Sequence, residues 1–377
     1  MRIIQLLEFN QFNTGSVHQM FQAATGLRER GHEVTIVSRP DSILEQRAGA
    51  AGVDFFGLRM RSEFDLASVW KLARLFSRAR PDVVHVHKGV AHSLALAASL
   101  RHPVGAFVVN RGVSFPLDVW NRPKFRTRFV DRVVTVCEQI RGVVIESGRL
   151  PPSKVVVVYA GTDVQRFDPS RWDPKAFRRE KGISDDRFLI VQAGVRDWKG
   201  WKELIDAVAL LLPDFPAIHV AFVGCRHQQE IAEVSSYARD RGIAHAVTPV
   251  EVRDDMPAVF ASADLVVDAS WAGTGITGTI REAMSMARPV IATDCGGNRE
   301  LVSSPHVGWL IAAKEVPALA SAIRSVLQDP DARMRVGQSA RAHVVQAFSK
   351  DLRISRLEAL YSSILSSNDR SPGRKTW

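Results

Sequence analysis

The sequence predicts an α/β protein built of two doubly wound, Rossmann-like domains, and three observations carry that expectation. Short apolar runs rich in Val and Ile alternate with segments whose apolar residues recur at helical spacing. The alternation restarts after a polar, turn-rich stretch near the middle of the chain. The length, 377 residues, suits two ordinary domains that each bury a core.

In the first half, Arg2 to Leu7 reads as a strand, followed by a loop from Glu8 to Ser16. Val17, Met20, Phe21, Ala24 and Leu27 then mark a helix that stops at Gly31, and Glu33 to Ser38 is the next strand. This βαβ opening has no GxGxxG, which disfavours a nicotinamide site. A helix over 66–79, a strand over 82–87, a helix over 91–100 and strands over 104–110, 132–136 and 155–159 extend the sheet to six or seven members. The stretch from Gly161 to Asp186, polar and turn-rich with two prolines, reads as the crossover between domains.

The second half opens with a strand over 188–193, the loop Gly194 to Gly200 and a helix over 201–212. Strands follow near 218–223, 246–248, 265–268 and 290–293, with a short edge element over 307–311. Helices are expected over 279–287, 316–327, 332–347 and 350–366, and a disordered tail over 367–377. The domains are therefore drawn as 1–163 and 164–349.

Hydrophobic residues at 46% and charged residues at 24% give the balance of a globular chain. No apolar run approaches the ~20 residues that cross a bilayer, so a cytoplasmic location is expected. Three wide-spaced cysteines, Cys137, Cys225 and Cys295, support neither a disulfide framework nor a zinc site. Residues 1–163 hold 22 basic and 14 acidic residues, against 28 and 26 in the rest. That excess suits an anionic partner: a phospholipid headgroup, a phosphorylated sugar acceptor or, on charge alone, nucleic acid. Arg122, Lys124, Arg126, Arg128 and Arg132, interleaved with aromatics from Phe115 to Phe129, fit a membrane interface or a solvated helix face whose rings enter the core.

The chemistry is expected between Ser270 and Val302. Gly273, Gly275 and Gly278 make a turn whose bare backbone can point N–H groups at an anion, and a helix follows at once. Ile280, Ala283, Met284 and Ala287 form its inward face, and Glu282 lies off that face near the start. Pro289 ends the helix, and a buried strand leads to a second glycine turn over 294–298, at the sheet edge where open α/β folds bind ligands. Arg196 and Lys199, three apart on a post-strand loop before Gly200, can place a guanidinium and an ammonium on one phosphate. His85 and His87 alternate on one strand face and His92 lies on the next element, without the further ligand and carboxylate shell that a zinc site needs. Lys88 and His92, at the carboxyl edge of one strand, are candidates to touch an acceptor.

The run Glu282-Ala283-Met284, then Arg288 to Thr293, Gly296-Gly297 and Glu300-Leu301-Val302 resembles the donor-binding element of the retaining glycosyltransferases of family four. The resemblance implies a GT-B fold of two Rossmann-like domains facing across a cleft, with the last helix crossing back onto the first domain. It extends to Thr14-Gly15-Ser16 under the donor diphosphate, to Arg196 and Lys199-Gly200 as diphosphate cations, and to Ala160-Gly161-Thr162-Asp163 at the domain junction. Two positions depart from the family pattern. Thr274 stands where the first of a glutamate pair is usual, and Asn110-Arg111-Gly112 replaces a Thr-His-Gly motif.

The resemblance implies catalytic roles for Arg196, Lys199 and Glu282, the last accepting from the donor ribose, and donor contacts from Gly15, Ser16, Thr274, Gly275, Ile276 and Thr277. Arg111 joins Lys88 and His92 as a contact to an anionic acceptor, or meets the departing phosphate, and cannot serve as a general base at neutral pH. The expected activity is metal-independent, retaining sugar transfer from a nucleoside diphosphate sugar to a glycan or lipid-linked acceptor, in cell-surface polysaccharide or lipopolysaccharide synthesis. No cofactor and no nucleic-acid partner are expected, and membrane contact would be peripheral on the inner face through Arg122–Arg132. A sugar-nucleotide 2-epimerase and a non-catalytic nucleotide-sugar-binding relative are the alternatives.

Overall fold

The computed structural model describes residues 1–10, 15–272 and 275–369. The chain divides into two compact units, Met1–Gly161 with Lys350–Trp377, and Thr162–Ser349. The boundary falls two residues before the one drawn from the sequence.

The first unit runs β1 (Arg2–Leu6), α1 (Gly15–Glu29), β2 (Glu33–Ser38), α2 (Ile43–Ala50), β3 (Asp54–Gly57), α3 (Leu66–Ala79) and β4 (Val83–Val86). It continues with α4 (Gly89–Arg101), β5 (Ala106–Arg111), α5 (Arg122–Arg126), β6 (Arg132–Thr135), α6 (Glu138–Gly148) and β7 (Val155–Val157). All seven strands are parallel, in the order β3-β2-β1-β4-β5-β6-β7. Both faces of such a sheet are covered, which is why its central strands read as unbroken apolar runs. The seventh strand is β3, which the sequence reading left unassigned together with α2. Its two phenylalanines are only partly buried at the sheet edge, so no clean alternation marks it.

The second unit runs α7 (Ala176–Lys181), β8 (Phe188–Ala193), α8 (Trp201–Leu211), β9 (Ile218–Cys225), α9 (Gln228–Asp240), β10 (Val247–Glu251) and α10 (Met256–Ser262). Then come β11 (Leu265–Asp268), α11 (Gly278–Ser285), β12 (Val290–Thr293), α12 (Asn298–Leu301), β13 (Trp309–Ile311), α13 (Val316–Gln328) and α14 (Pro330–Ala347). Its six parallel strands lie in the order β10-β9-β8-β11-β12-β13.

Of the stretch read as a crossover, 161–186, all but Gly161 is built into this unit instead. Phe177 is buried, and Arg178 donates to Asp264 at 2.6 Å and to the carbonyls of Ser262, Ser184 and Arg187. A guanidinium with this many fixed acceptors has its buried donors satisfied.

The last helix, α15 (Lys350–Asp369), belongs to the first unit, where Ile354, Leu357, Tyr361 and Ile364 enter the core with Val17, Met20, Ala24 and Leu27 of α1. Gly26 is where the two helices come closest: a Cβ there would stand 1.9 Å from Ile354 Cδ1. The helix extends past Ser366, where the sequence reading began a disordered tail, and Ser367 Oγ donates to the Ile364 carbonyl at 2.8 Å. Among the described residues no helix is long and apolar enough to cross a membrane.

Candidate active site

In the second unit the chain moves from β8 outward to β9 and β10, then returns to the other side of β8 as β11. The crevice at the carboxyl ends of β8 and β11 is thus the topological switch point, where doubly wound sheets bind ligands. Lys199 sits there, on a single turn of 3-10 helix over Asp197–Lys199. Its Nζ lies 3.0 Å from Asp268 Oδ2 at the end of β11. Asp268 is 1% exposed and also accepts the Ser270 amide at 3.1 Å. Gln192 Nε2 donates to the Lys199 carbonyl at 3.0 Å, and the Trp271 amide and indole donate to the carbonyls of Trp198 and Asp197. The loops after β8 and β11 are therefore sewn together around the ammonium. Gly200 permits this: its φ is +67°, and a Cβ would stand 2.1 Å from the Ala269 carbonyl oxygen.

Arg196, on the same loop, is half-buried and has no ion pair among the described residues. Burial, and then the neighbouring Arg226, lower its pKa, with Glu230 opposing them. Arg226 itself is held by Glu230 through its Nε at 2.9 Å. With Glu230 already engaged by Arg226, the Arg196 guanidinium leaves positive potential to be met by an anion.

The glycine turn before α11 is fixed by the next loop. The Gly297 amide donates to the Gly275 carbonyl at 2.9 Å. Asn298, fully buried, accepts from the Thr277 amide at 3.3 Å and hydroxyl at 2.8 Å, and donates to the Thr293 carbonyl at 3.1 Å. Ile276 and Thr277 are buried by this arrangement. Thr277 stands at the N-cap but places no side-chain bond on the helix amides, so the first turn of α11 can serve a bound anion. Asn298→Ala removes all three bonds and leaves buried partners unsatisfied. It is expected to lower stability by about 3 kcal/mol in urea unfolding and to weaken nucleotide binding by loosening the turn.

Glu282 follows on α11. Burial pushes its carboxyl up to about 7, against the opposing charges of Arg281 and Arg166. Arg281 is buried, its pKa drawn down to about 10 by desolvation, and its Nη1 lies 3.3 Å from Thr162 Oγ1. Ser285 Oγ donates to the Phe167 carbonyl at 2.8 Å, so the 162–168 segment forms the wall beside this helix. The helix ends with Ala287 in the left-handed region at φ 54°, before Pro289 is reached.

In the first unit the switch point lies between β1 and β4. Glu8, 5% exposed, crosses it to accept the Ala91 amide of α4 at 3.4 Å. Lys88 stands at the start of α4 with its Nζ 4.6 Å from the Phe9 ring centroid. Arg111 ends β5, half-buried, with Nη2 donating to the Phe115 carbonyl at 2.8 Å and burial lowering its pKa. Gly15 and Ser16 open α1, the former exposed.

His92 corrects the sequence reading. It points into the core of the first unit, against Phe125 with ring centroids 4.8 Å apart, and burial first, then the charge of Lys124, pull its pKa to about 3. The helical spacing of α4 turns it inward, away from any acceptor. His85 and His87 are also buried, 2.6 Å from Tyr361 OH and Gln5 Oε1 respectively. Among the described residues no group of three His, Cys, Asp or Glu is placed to hold a metal. Thr274, the remaining predicted donor contact, lies outside the described residues, as does Thr14.

Residues 14–166 match the family model described as Glycosyltransferase Family 4, and residues 186–329 match that described as Glycosyl transferases group 1. The putative glycosyltransferase YtcC of Bacillus subtilis is 25% identical over 372 residues, covering 94% of this chain and 89% of that protein. The UDP-Gal:alpha-D-GlcNAc-diphosphoundecaprenol alpha-1,3-galactosyltransferase of Escherichia coli is 22% identical over 314 residues, 79% of each chain. Among solved structures, a glycosyltransferase from Rickettsia africae superposes with a TM-score of 0.89 at 18% identity, covering 97% of this chain and 98% of its own. Anabaena Alr3699/HepE, in complex with UDP, superposes at 0.85 and 21% identity, covering 96% and 100%. Two Rossmann-like units of this topology make the GT-B fold, and the chain belongs to the group 1 glycosyltransferases of family four.

Proposed function

We propose that the protein transfers a sugar from a nucleoside diphosphate sugar to a glycan or lipid-linked acceptor, with retention and without a metal ion, in the assembly of a cell-surface polysaccharide or lipopolysaccharide. The observation that carries this reading is the placement of Lys199 at the switch point of the second unit, held by Asp268 and tied through the Trp271 amide to the loop after β11. When the bond from the anomeric carbon to the diphosphate breaks, negative charge gathers on the phosphate oxygens. Lys199, Arg196 and the first amides of α11 are fixed donors for that charge, a contribution that strengthens as the bond lengthens. Asp268, the strand-end carboxylate beside them, is already neutralised by Lys199, which favours cationic side chains over a divalent ion for this task.

Glu282 accepts from the donor ribose. In a front-face transfer the acceptor oxygen bonds to the anomeric carbon on the side the phosphate leaves, and its proton passes to a phosphate oxygen. No protein base is then required, and Arg111 at the Thr-His-Gly position is compatible with this. Among nucleotides we favour uridine, the one named in the HepE complex and in the Escherichia coli relative.

A thermal-unfolding screen against UDP, GDP and ADP, with and without EDTA, tests the reading. At a hundredfold excess over Kd a ligand stabilises the native state by about 2.7 kcal/mol, a clear rise in midpoint. UDP is expected to give this rise, unchanged by EDTA and lost in Glu282→Ala. No shift with any nucleotide would reject donor binding, and a shift abolished by EDTA would reject metal independence.

A further inference from the structure

Every exposed Phe and Trp among the described residues lies in the first unit: Phe9, Phe64, Trp70, Phe115 and Trp120. Phe64 is 89% and Trp120 92% exposed. The loop before α3 and the loop before α5 carry these rings, and one polar tie joins them. Lys124 Nζ lies 2.9 Å from Glu63 Oε1, 3.2 Å from Ser93 Oγ and 3.5 Å from the Gly89 carbonyl. Ser93 Oγ in turn donates to Glu63 at 2.7 Å. Phe64 follows Glu63 directly, and Trp120 precedes Lys124 by one helical turn's length of chain. Lys88, next to Gly89, lies over Phe9. The loops that carry Phe64 and Trp120 thus meet at the start of α4, with Phe9 beside it.

Cations surround them. Residues 59–80 carry six basic residues against two acidic, and residues 111–132 again carry six against two. Of the acids, Glu63 is engaged by Lys124, and Asp65 caps α3 by accepting from Ser68. Helix α3 turns Leu72, Ala73 and Phe76 inward and presents Leu66, Trp70 and Arg74, at i, i+4 and i+8, to solvent, with the Arg74 guanidinium 5.4 Å from the Trp70 ring. Rings that enter the headgroup boundary, with a basic rim around them, are the pattern of an interfacial surface.

We propose that this face of the first unit docks on an anionic lipid bilayer, a reading that rests on the lipid-linked form of the proposed acceptor. A second copy is the poorer occupant, because a two-fold contact would set this positive patch against itself. The surface also moves the contact expected from the sequence. Within Arg122–Arg132, Phe125 is buried in the core, and the inserting groups are instead Phe64, Trp70 and Trp120.

The test is flotation of the full chain with vesicles of phosphatidylcholine mixed with phosphatidylglycerol, and of phosphatidylcholine alone. The protein is expected to float with the anionic vesicles, to be released by salt, and to stay behind with the neutral ones. Phe64→Ser/Trp120→Ser, at two solvent-exposed positions, is expected to weaken binding at least about tenfold. Arg74→Glu, which reverses one charge, is expected to weaken it by more than the about fivefold of a single lost charge. A UDP thermal shift on the same preparations separates this proposal from the donor-site reading, since both variants change residues of the first unit alone. Equal binding by wild type and the double variant, or no binding to anionic vesicles, overturns the proposal. So does a wild-type dimer in sedimentation that the double variant abolishes.

Discussion

Lys199→Met is expected to lower kcat by about a hundred- to a thousandfold, the usual effect of deleting one preorganised donor to a developing oxyanion. The same substitution is expected to lower stability by about 3 kcal/mol, because it strands a buried carboxylate without its cation. The partner is Asp268, 1% exposed. Both losses would follow from one side chain, and a second substitution separates them. In Lys199→Met/Asp268→Asn the stranded charge is gone, and the amide oxygen can still accept the Ser270 amide. Urea unfolding should then return most of the stability, while turnover stays low. Recovery of turnover in the double variant would show that Lys199 only neutralises Asp268 and does not meet the leaving diphosphate.

Glu282→Gln is expected to raise stability at alkaline pH and to weaken donor binding. The Glu282 carboxyl titrates near 7 in the folded protein, against 4.5 for an unperturbed glutamate. Between those values the folded state keeps a proton that the unfolded state has released, so stability falls as pH rises through this window. The full penalty, on the order of 3 kcal/mol, is present above pH 7. Glutamine never ionises, so the gain from the substitution should be small at pH 4.5 and largest at pH 8. An equal change at both pH values would contradict the shifted carboxyl. Donor affinity of the wild type should rise through neutrality, since the ionised form is the stronger acceptor for ribose hydroxyls. In the glutamine variant the affinity should be lower by about tenfold or more at pH 8 and flat with pH.

The strands and the long helices were legible because burial on both sheet faces imposes apolar runs and helical spacing that a sequence displays directly. The turn around Gly275 and the Arg196–Lys199 loop were legible as loops at strand ends, because their glycines interrupt the apolar runs. What the sequence concealed is pairing over distance. Asp268 ends an ordinary Val-Val-Asp strand, and its partner Lys199 stands on another loop. Asn298 follows two glycines, where an asparagine reads as one more turn residue, although it is the bolt that holds Thr277. Glu8 looks like loop polarity until Ala91 is brought beside it. The opposite error occurred at His92 and over 161–186. A histidine near a strand end looked available, and a charged, proline-bearing stretch looked like a linker, whereas His92 enters the core and Arg178 anchors α7.

Helix α15 closes the core of a unit whose other elements are made before Thr162. A ribosome therefore releases the whole second unit before the first can bury Val17, Met20 and Leu27 under Ile354, Leu357 and Tyr361. During synthesis the first unit waits with an apolar groove along α1, open to chaperones and to neighbouring nascent chains. The second unit, continuous from Thr162 to Ser349, has no such wait. It can fold as soon as it emerges, ahead of the unit that precedes it in the chain.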